Sequence, residues 1–152
     1  MPKLLLSLHV LAAILAIGPV AVAASMFPAV LRRAHADRAA LPALRTVHRI
    51  CRVYALVGLA VPVLGFATAS SLGVLGDPWL IASVVLTGIA AVVLGLLVLP
   101  RQDAALAAAE APGAVLERRT TARLAVLTGV FNLLWAVVTV LMIVRPGSTT
   151  GV

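Results

Sequence analysis

Four stretches of this chain are apolar at nearly every position: Leu4 to Phe27, Val53 to about Val74, Trp79 to Leu99 and Leu124 to Val144. About 20 residues, at about 1.5 Å of rise each, cross a hydrocarbon core of roughly 30 Å. Each stretch therefore predicts a helix that spans a membrane. The expected architecture is all-α: a bundle of four transmembrane helices forming one integral membrane domain over residues 1–152.

The interruptions refine this picture. Gly18-Pro19 lies within the first run and Pro62 within the second, where the missing N–H and the ring clash predict kinks, as bends and not breaks. Asp77 followed by Pro78 suits an N-cap and first turn for the third helix, and Trp79 suits the interface, so helices two and three should form a tight hairpin. The other connections, Pro28 to Arg52 and Pro100 to Arg123, are longer. Ala29 to Ala40 and Gln102 to Ala111 are alanine-rich, and Pro42 and Pro112-Gly113 then interrupt them. These segments are expected to be helical extensions lying along the membrane surface. Arg45 with Arg49, and Arg119 with Arg123, place arginines four apart just before the second and fourth runs, a faint internal repeat compatible with two related hairpins.

Charge sets the orientation. The first long connection carries six arginines and the second four, against Lys3 and Arg145 for the two tails. The positive-inside tendency then puts both basic loops in the cytoplasm and both termini outside. Lys3, the leucine-rich run and Ala21-Val22-Ala23 imitate a cleavable signal peptide, but removing the first helix would invert this charge bias, so the helix is expected to be retained.

Composition agrees: 62% of the 152 residues are hydrophobic and 11% charged, against roughly 25% charged in soluble domains. The net charge of +7 does not imply nucleic acid, because aromatics are 4% and the arginines flank apolar runs, where anionic headgroups explain them. The expected partner is the lipid bilayer. Gly88 with Gly95, and Gly129 with Ala136, are small residues seven apart, a spacing that suits helix packing within the bundle; such seams would equally dock a membrane protein partner or a second copy. A lone cysteine, Cys51, excludes an intramolecular disulfide.

Few residues offer chemistry. His9 lies inside the first span, where a neutral imidazole needs a hydrogen-bond partner or a metal. It is read either as bonded to a carbonyl of a neighbouring helix or as a haem ligand. The candidate at matching depth is Met142, near the outer end of the fourth helix, since His/Met ligation suits haem iron; His35 and His48 belong to the basic side. Asn132, mid-span in the fourth helix, is read as structural, joining helices by a hydrogen bond, and Tyr54 as an interface anchor. No Asp, Glu, Lys or Arg lies inside the four runs, which argues against proton-coupled transport, and no phosphate loop, nucleophile elbow, catalytic set or metal motif is present.

Leu8-His9-Val10-Leu11-Ala12-Ala13-Ile14-Leu15-Ala16-Ile17-Gly18, then Phe27-Pro28, Arg32, His35, Arg49-Ile50-Cys51-Arg52-Val53-Tyr54 and Gly65, resemble a family of small bacterial integral membrane proteins catalogued as a domain of unknown function. More distantly, the first stretch and the Pro-Arg-His succession are similar to bacterial four-helix protoporphyrinogen oxidase and copper-resistance membrane domains. That second resemblance implies haem b, with His9 and His35 at the positions associated with porphyrin chemistry. The chain lacks that group's tryptophan before the glycine and its third-span lysine. The expectation is a component of the bacterial inner membrane without enzymatic activity; the alternatives are a haem-b redox protein and an accessory subunit of a membrane complex.

Overall fold

The computed structural model describes residues 1–113 and 115–147. Among these the protein is helical, without a strand, and four rods are long and apolar enough to cross a membrane: Pro2–Ala36, Arg38–Leu72, Pro78–Glu110 and Arg118–Val144. It is an integral membrane protein of four spanning helices. The rods divide into α1 (Pro2–Ala36), α2 (Leu41–Val57), α3 (Ala60–Leu72), α4 (Pro78–Val92), α5 (Leu99–Glu110) and α6 (Arg118–Val144), with a 3₁₀ turn at Arg38–Ala40 and a π-helical segment at Val93–Val98.

The first rod contains 35 residues, about 52 Å of helix, far more than a hydrocarbon core of about 30 Å. The surplus lies at the end that carries ten of the arginines, called here the basic end; the opposite, terminal end carries Lys3, Asp77 and Arg145. The two alanine-rich segments expected to lie along the membrane surface instead continue the spans. Residues 29–36 remain in α1, and 102–110 form α5. The reason is apolar burial. Ala24, Phe27, Leu31 and Ala34 of α1 meet Leu41, Leu44, Val47 and Cys51 of α2, Ala105 and Ala109 of α5, and Leu124 of α6. Most of this core (Leu31, Ala34, Leu41, Leu44, Val47, Ala105 and Ala109) sits beyond the boundary marked by Arg52, Arg101 and Arg123, with Phe27 and Leu124 at that boundary, so the helices prefer one another to the bilayer surface.

A second cluster lies in the middle of the bundle, formed by Val20, Ala90, Val93, Leu94, Val98 and Phe131, with Tyr54 partly buried against it. A third, of Ala69, Trp79 and Leu80 with Val74 and Met142, closes the terminal end. Outward-facing Leu15, Val63, Phe66, Leu96 and Leu133 are all more than half exposed, as lipid-facing positions are.

Three local departures follow from proline and glycine chemistry. Pro19 and Pro28 lie within an unbroken α1, whereas the second rod is interrupted by a turn at Gly58-Leu59. Pro62 has no N–H to give to the Gly58 carbonyl, which takes the Val61 N–H at 3.1 Å instead, so the chain tightens by a residue. In the third rod, Pro100 similarly withdraws a donor, and the Leu99 N–H reaches back five residues to the Leu94 carbonyl. The α2–α3 rod ends where Gly73 adopts φ +69°, a left-handed conformation that caps a helix at little cost for glycine.

The hairpin that follows has Asp77 at the N-cap and Pro78 in the first turn. The Asp77 carboxylate accepts from the Trp79 indole N–H at 2.9 Å in place of a backbone amide, and the Arg145 guanidinium lies 5.5 Å from the Trp79 ring centroid. The seams expected at Gly88, Gly95 and Gly129 are not close contacts, since a Cβ added there would meet nothing within 4 Å. The close approach occurs at Gly65.

Candidate functional site

Residues 41–57 form the most amphipathic helix of the chain. Leu41, Leu44, Val47, His48 and Cys51 share its buried face, while Arg45, Arg49 and Arg52 point outwards. His48 and Cys51 are three residues apart, so one turn presents an imidazole and a thiol to the same neighbour. That neighbour is α5, which contributes Gln102 and Asp103 just after Pro100. The extra width of the π-helical segment sets the direction in which α5 faces.

These four side chains, with Arg52, form the principal polar cluster, in which His48, Gln102 and Cys51 are buried and Asp103 and Arg52 are exposed. His48 Nε2 lies 2.8 Å from Asp103 Oδ1, and an Arg52 guanidinium N–H donates to the same oxygen at 3.1 Å. His48 Nδ1 lies 3.4 Å from Gln102 Oε1, and the Gln102 amide N–H donates to Cys51 Sγ at 3.7 Å. Gln102 and Cys51 are wholly buried, and Phe27 of α1 meets the His48 ring edge-on at 6.2 Å between centroids. This arrangement matches donors to acceptors for an imidazolium, whose two N–H groups face Asp103 and Gln102. For a neutral ring with Nε2–H kept on Asp103, Nδ1 becomes an acceptor and the Gln102 amide turns over, its nitrogen towards the ring and its oxygen towards the thiol. Either way the chain of hydrogen bonds stays closed.

Cys51 lies outside the apolar run that begins at Val53, and burial pushes its thiol pKa up while the Gln102 hydrogen bond pulls it partly back. A buried, protonated thiol is a poor nucleophile. Around the cluster, Arg45 pairs with the Glu110 carboxylate at 2.6 Å and Arg38 donates to the Glu110 carbonyl at 3.0 Å. These bonds join the α1–α2 turn to the end of α5. The chemistry the cluster performs is attachment: it ties three helices where they leave the apolar zone.

The residues singled out from the sequence lie elsewhere. His9 is buried on α1 and donates from Nδ1 to the Val61 carbonyl at 3.0 Å, which leaves Nε2 as a bare acceptor. Its ring fills the space opposite Gly65, where a Cβ would come within 2.8 Å of Cε1 and 3.5 Å of Nε2. Met142 packs in the Trp79 cluster with Ala69, which is one to two helical turns beyond Gly65 and Val61 along α3. His35 donates from Nδ1 to its own helix, at the Leu31 carbonyl, and stands 26 residues along α1 from His9, about 39 Å of helix. His9 and His35 are therefore too far apart along α1 to hold one haem between them, while Met142 packs in the Trp79 cluster one helical turn from the Gly65 position that His9 faces. Asn132 donates from Nδ2 to Ser25 Oγ at 3.1 Å, across from α6 to α1. Its Oδ1, with Thr128 Oγ1 and Trp135 Nε1, finds no protein partner among the described residues.

Sequence reasoning passed over His48, Gln102 and Asp103. The available signal was the apolar spacing through Leu41, Leu44, Val47 and Cys51, which places His48 on a buried face that needs a polar partner.

Residues 3–146 match one family model, described as "Predicted integral membrane protein (DUF2269)". No curated protein and no solved structure matches the chain.

Proposed function

The chain belongs to the DUF2269 family of predicted integral membrane proteins, and from that premise we propose that it is a non-enzymatic component of the bacterial inner membrane, with its basic end in the cytoplasm and both termini outside. The observation that carries the non-enzymatic reading is the closure of the polar cluster. His48, Gln102, Asp103 and Cys51 bond to one another, the Cys51 thiol has no exposed surface, and the half-exposed Asp103 carboxylate is taken up by His48 and Arg52. An active site needs at least one reactive group open to a substrate.

The orientation rests on charge. Ten arginines against Lys3 and Arg145 is a bias of the kind that keeps arginine-rich segments on the cytoplasmic side during insertion. Cys51 is too buried to report on sidedness, so the test uses Ala39→Cys, an exposed position in the turn after α1, in a Cys51→Ser background. A membrane-impermeant maleimide is expected to label this variant only after the cells are broken. Labelling in intact cells would reverse the orientation. The native protein, purified in mild detergent after expression with haem supplied, is expected to show no Soret band. A band abolished by His9→Ala would replace this reading with the redox one, and a stoichiometric second polypeptide retained through purification would make the chain an accessory subunit.

A further inference from the structure

The amino-terminal turns of α6 are flanked by two open grooves that the polar cluster does not use. One, of about 370 Å³, is lined by Arg32 of α1 and by Arg118, Thr121, Ala122 and Ala125 of α6. The other, of about 310 Å³, is lined by Arg101 of α5 and by Ala122, Arg123, Val126 and Leu127 of α6. They meet at Ala122, which is exposed. Each groove is thus bordered by two arginines, contributed by two different helices, and has a mostly apolar lining.

Among the described residues, Arg32, Arg118 and Arg123 form no ion pair, and Arg101 makes a hydrogen bond only to the Leu97 carbonyl. Glu117, the N-cap residue of α6, pairs with none of them either. Thr121 is turned inwards, donating to the Arg118 carbonyl at 2.9 Å. The cationic groups therefore face outwards without internal compensation.

Their order along the helix axis identifies the occupant. Arg101 and Arg123 stand at the margins of the third and fourth apolar runs, where hydrocarbon gives way to headgroups. Arg118 is five residues farther out, about 7.5 Å, which is still within a headgroup layer of roughly 5–7 Å per leaflet once its long side chain is counted. Going the other way, Ala125, Val126 and Leu127 continue down into the hydrocarbon. Cations above an apolar trough match a molecule with phosphate at one end and an acyl chain at the other. A soluble phosphate compound would leave the trough unused, and a nucleotide would meet no aromatic surface for its base.

We propose that these grooves bind an anionic phospholipid, its phosphate held between Arg32 and Arg118 or between Arg101 and Arg123, and its acyl chain laid along α6 below Ala122. Because the grooves meet at Ala122, a lipid with two phosphates engages both pairs at once. The site does not depend on which side of the membrane the basic end faces.

The test is native mass spectrometry of the delipidated full-length protein, titrated with phosphatidylglycerol, with a two-phosphate cardiolipin and with phosphatidylcholine. Both anionic lipids are expected to bind at least about tenfold more tightly than phosphatidylcholine, with cardiolipin the tightest. Arg32→Gln/Arg118→Gln and Arg101→Gln/Arg123→Gln should each weaken anionic lipid binding by about tenfold. The control pair Arg49→Gln/Arg119→Gln removes the same charge from the same end without touching either groove, and should change it by no more than about twofold. A matched circular dichroism melt identifies any variant that loses affinity by unfolding. Equal binding of phosphatidylcholine, or equal loss in the control pair, overturns the proposal, the latter in favour of diffuse surface charge. Thermal stabilisation by inorganic phosphate that matches stabilisation by phosphatidylglycerol overturns it in favour of a soluble ligand.

Discussion

At the residue scale, His9 and Gly65 form a unit. The imidazole crosses from α1 to the Val61 carbonyl on α3, and it reaches that carbonyl because residue 65 has no side chain. Gly65→Ala places a methyl 2.8 Å from Cε1, so the ring must move and its hydrogen bond must stretch or break. Overpacking of this kind costs about 1–3 kcal/mol. In a detergent-solubilised thermal melt, Gly65→Ala is expected to lower the midpoint, and the double variant Gly65→Ala/His9→Ala to recover part of the loss, since the clash disappears with the ring. Equal midpoints for wild type and Gly65→Ala would show that α1 and α3 do not approach as described. Only half of this pair was legible in the sequence. A histidine within an apolar run must find a partner, but which carbonyl it finds depends on the turn that Pro62, three residues before Gly65, induces at Gly58-Leu59, and that pairing is set by three-dimensional approach and not by spacing along α1. Gly88, Gly95 and Gly129 teach the reverse: regular small-residue spacing alone does not make a contact.

At the element scale, the third rod shows how one proline redirects a helix. Pro100 cannot donate to the preceding turn, the backbone widens into the π-helical segment at Val93–Val98, and the extra residue rotates everything beyond it by about 100° relative to an uninterrupted α-helix. That rotation brings Gln102 to His48 and Cys51 of α2. Deleting Gly95, where an added Cβ would meet nothing within 4 Å, is expected to restore the α-helical register and to swing Gln102 and Asp103 away from α2. Cys51 would then lose its cover. Its alkylation by a small maleimide in detergent should rise well above the wild-type rate, while membrane extraction behaviour stays unchanged; an unaltered rate would mean that the register does not position the cluster. The sequence made the span visible because hydropathy is a sum over many residues. It concealed the register because the extra residue of a π turn leaves no mark on hydropathy. The alanine-rich extensions were recognised as helical for sound reasons of propensity, but their destination was decided by tertiary burial of Leu31, Leu44 and Ala105, which local pattern does not encode.

At the scale of the whole molecule, two solvents act on one chain. In the membrane, each helix satisfies its own backbone and contacts lipid freely; at the basic end, the same helices extend beyond the hydrocarbon and pack a small water-type core of Leu31, Leu44, Cys51 and Ala105 that meets Phe27 and Leu124 at the boundary. This division predicts that the two parts fail separately. Asp103→Ala removes the partner of His48 Nε2, and an unpaired polar group on a nearly buried side chain costs about 1–3 kcal/mol, enough to raise the population of locally opened molecules by about tenfold. Arg45→Ala breaks only the pair with Glu110, where both side chains are largely exposed, and such pairs contribute about 0–1 kcal/mol. Cys51 reports the opening, because it has no exposed surface until α2 and α5 separate. Its alkylation rate is therefore expected to rise about tenfold in Asp103→Ala and by no more than about threefold in Arg45→Ala. Both variants should resist carbonate extraction as the wild type does, since the spans keep every apolar contact with lipid. Release of Asp103→Ala from the membrane would mean that the projecting core and the spans form one cooperative unit. A larger effect in Arg45→Ala than in Asp103→Ala would mean that the outer ion pair, and not the buried relay, fastens α2 to α5.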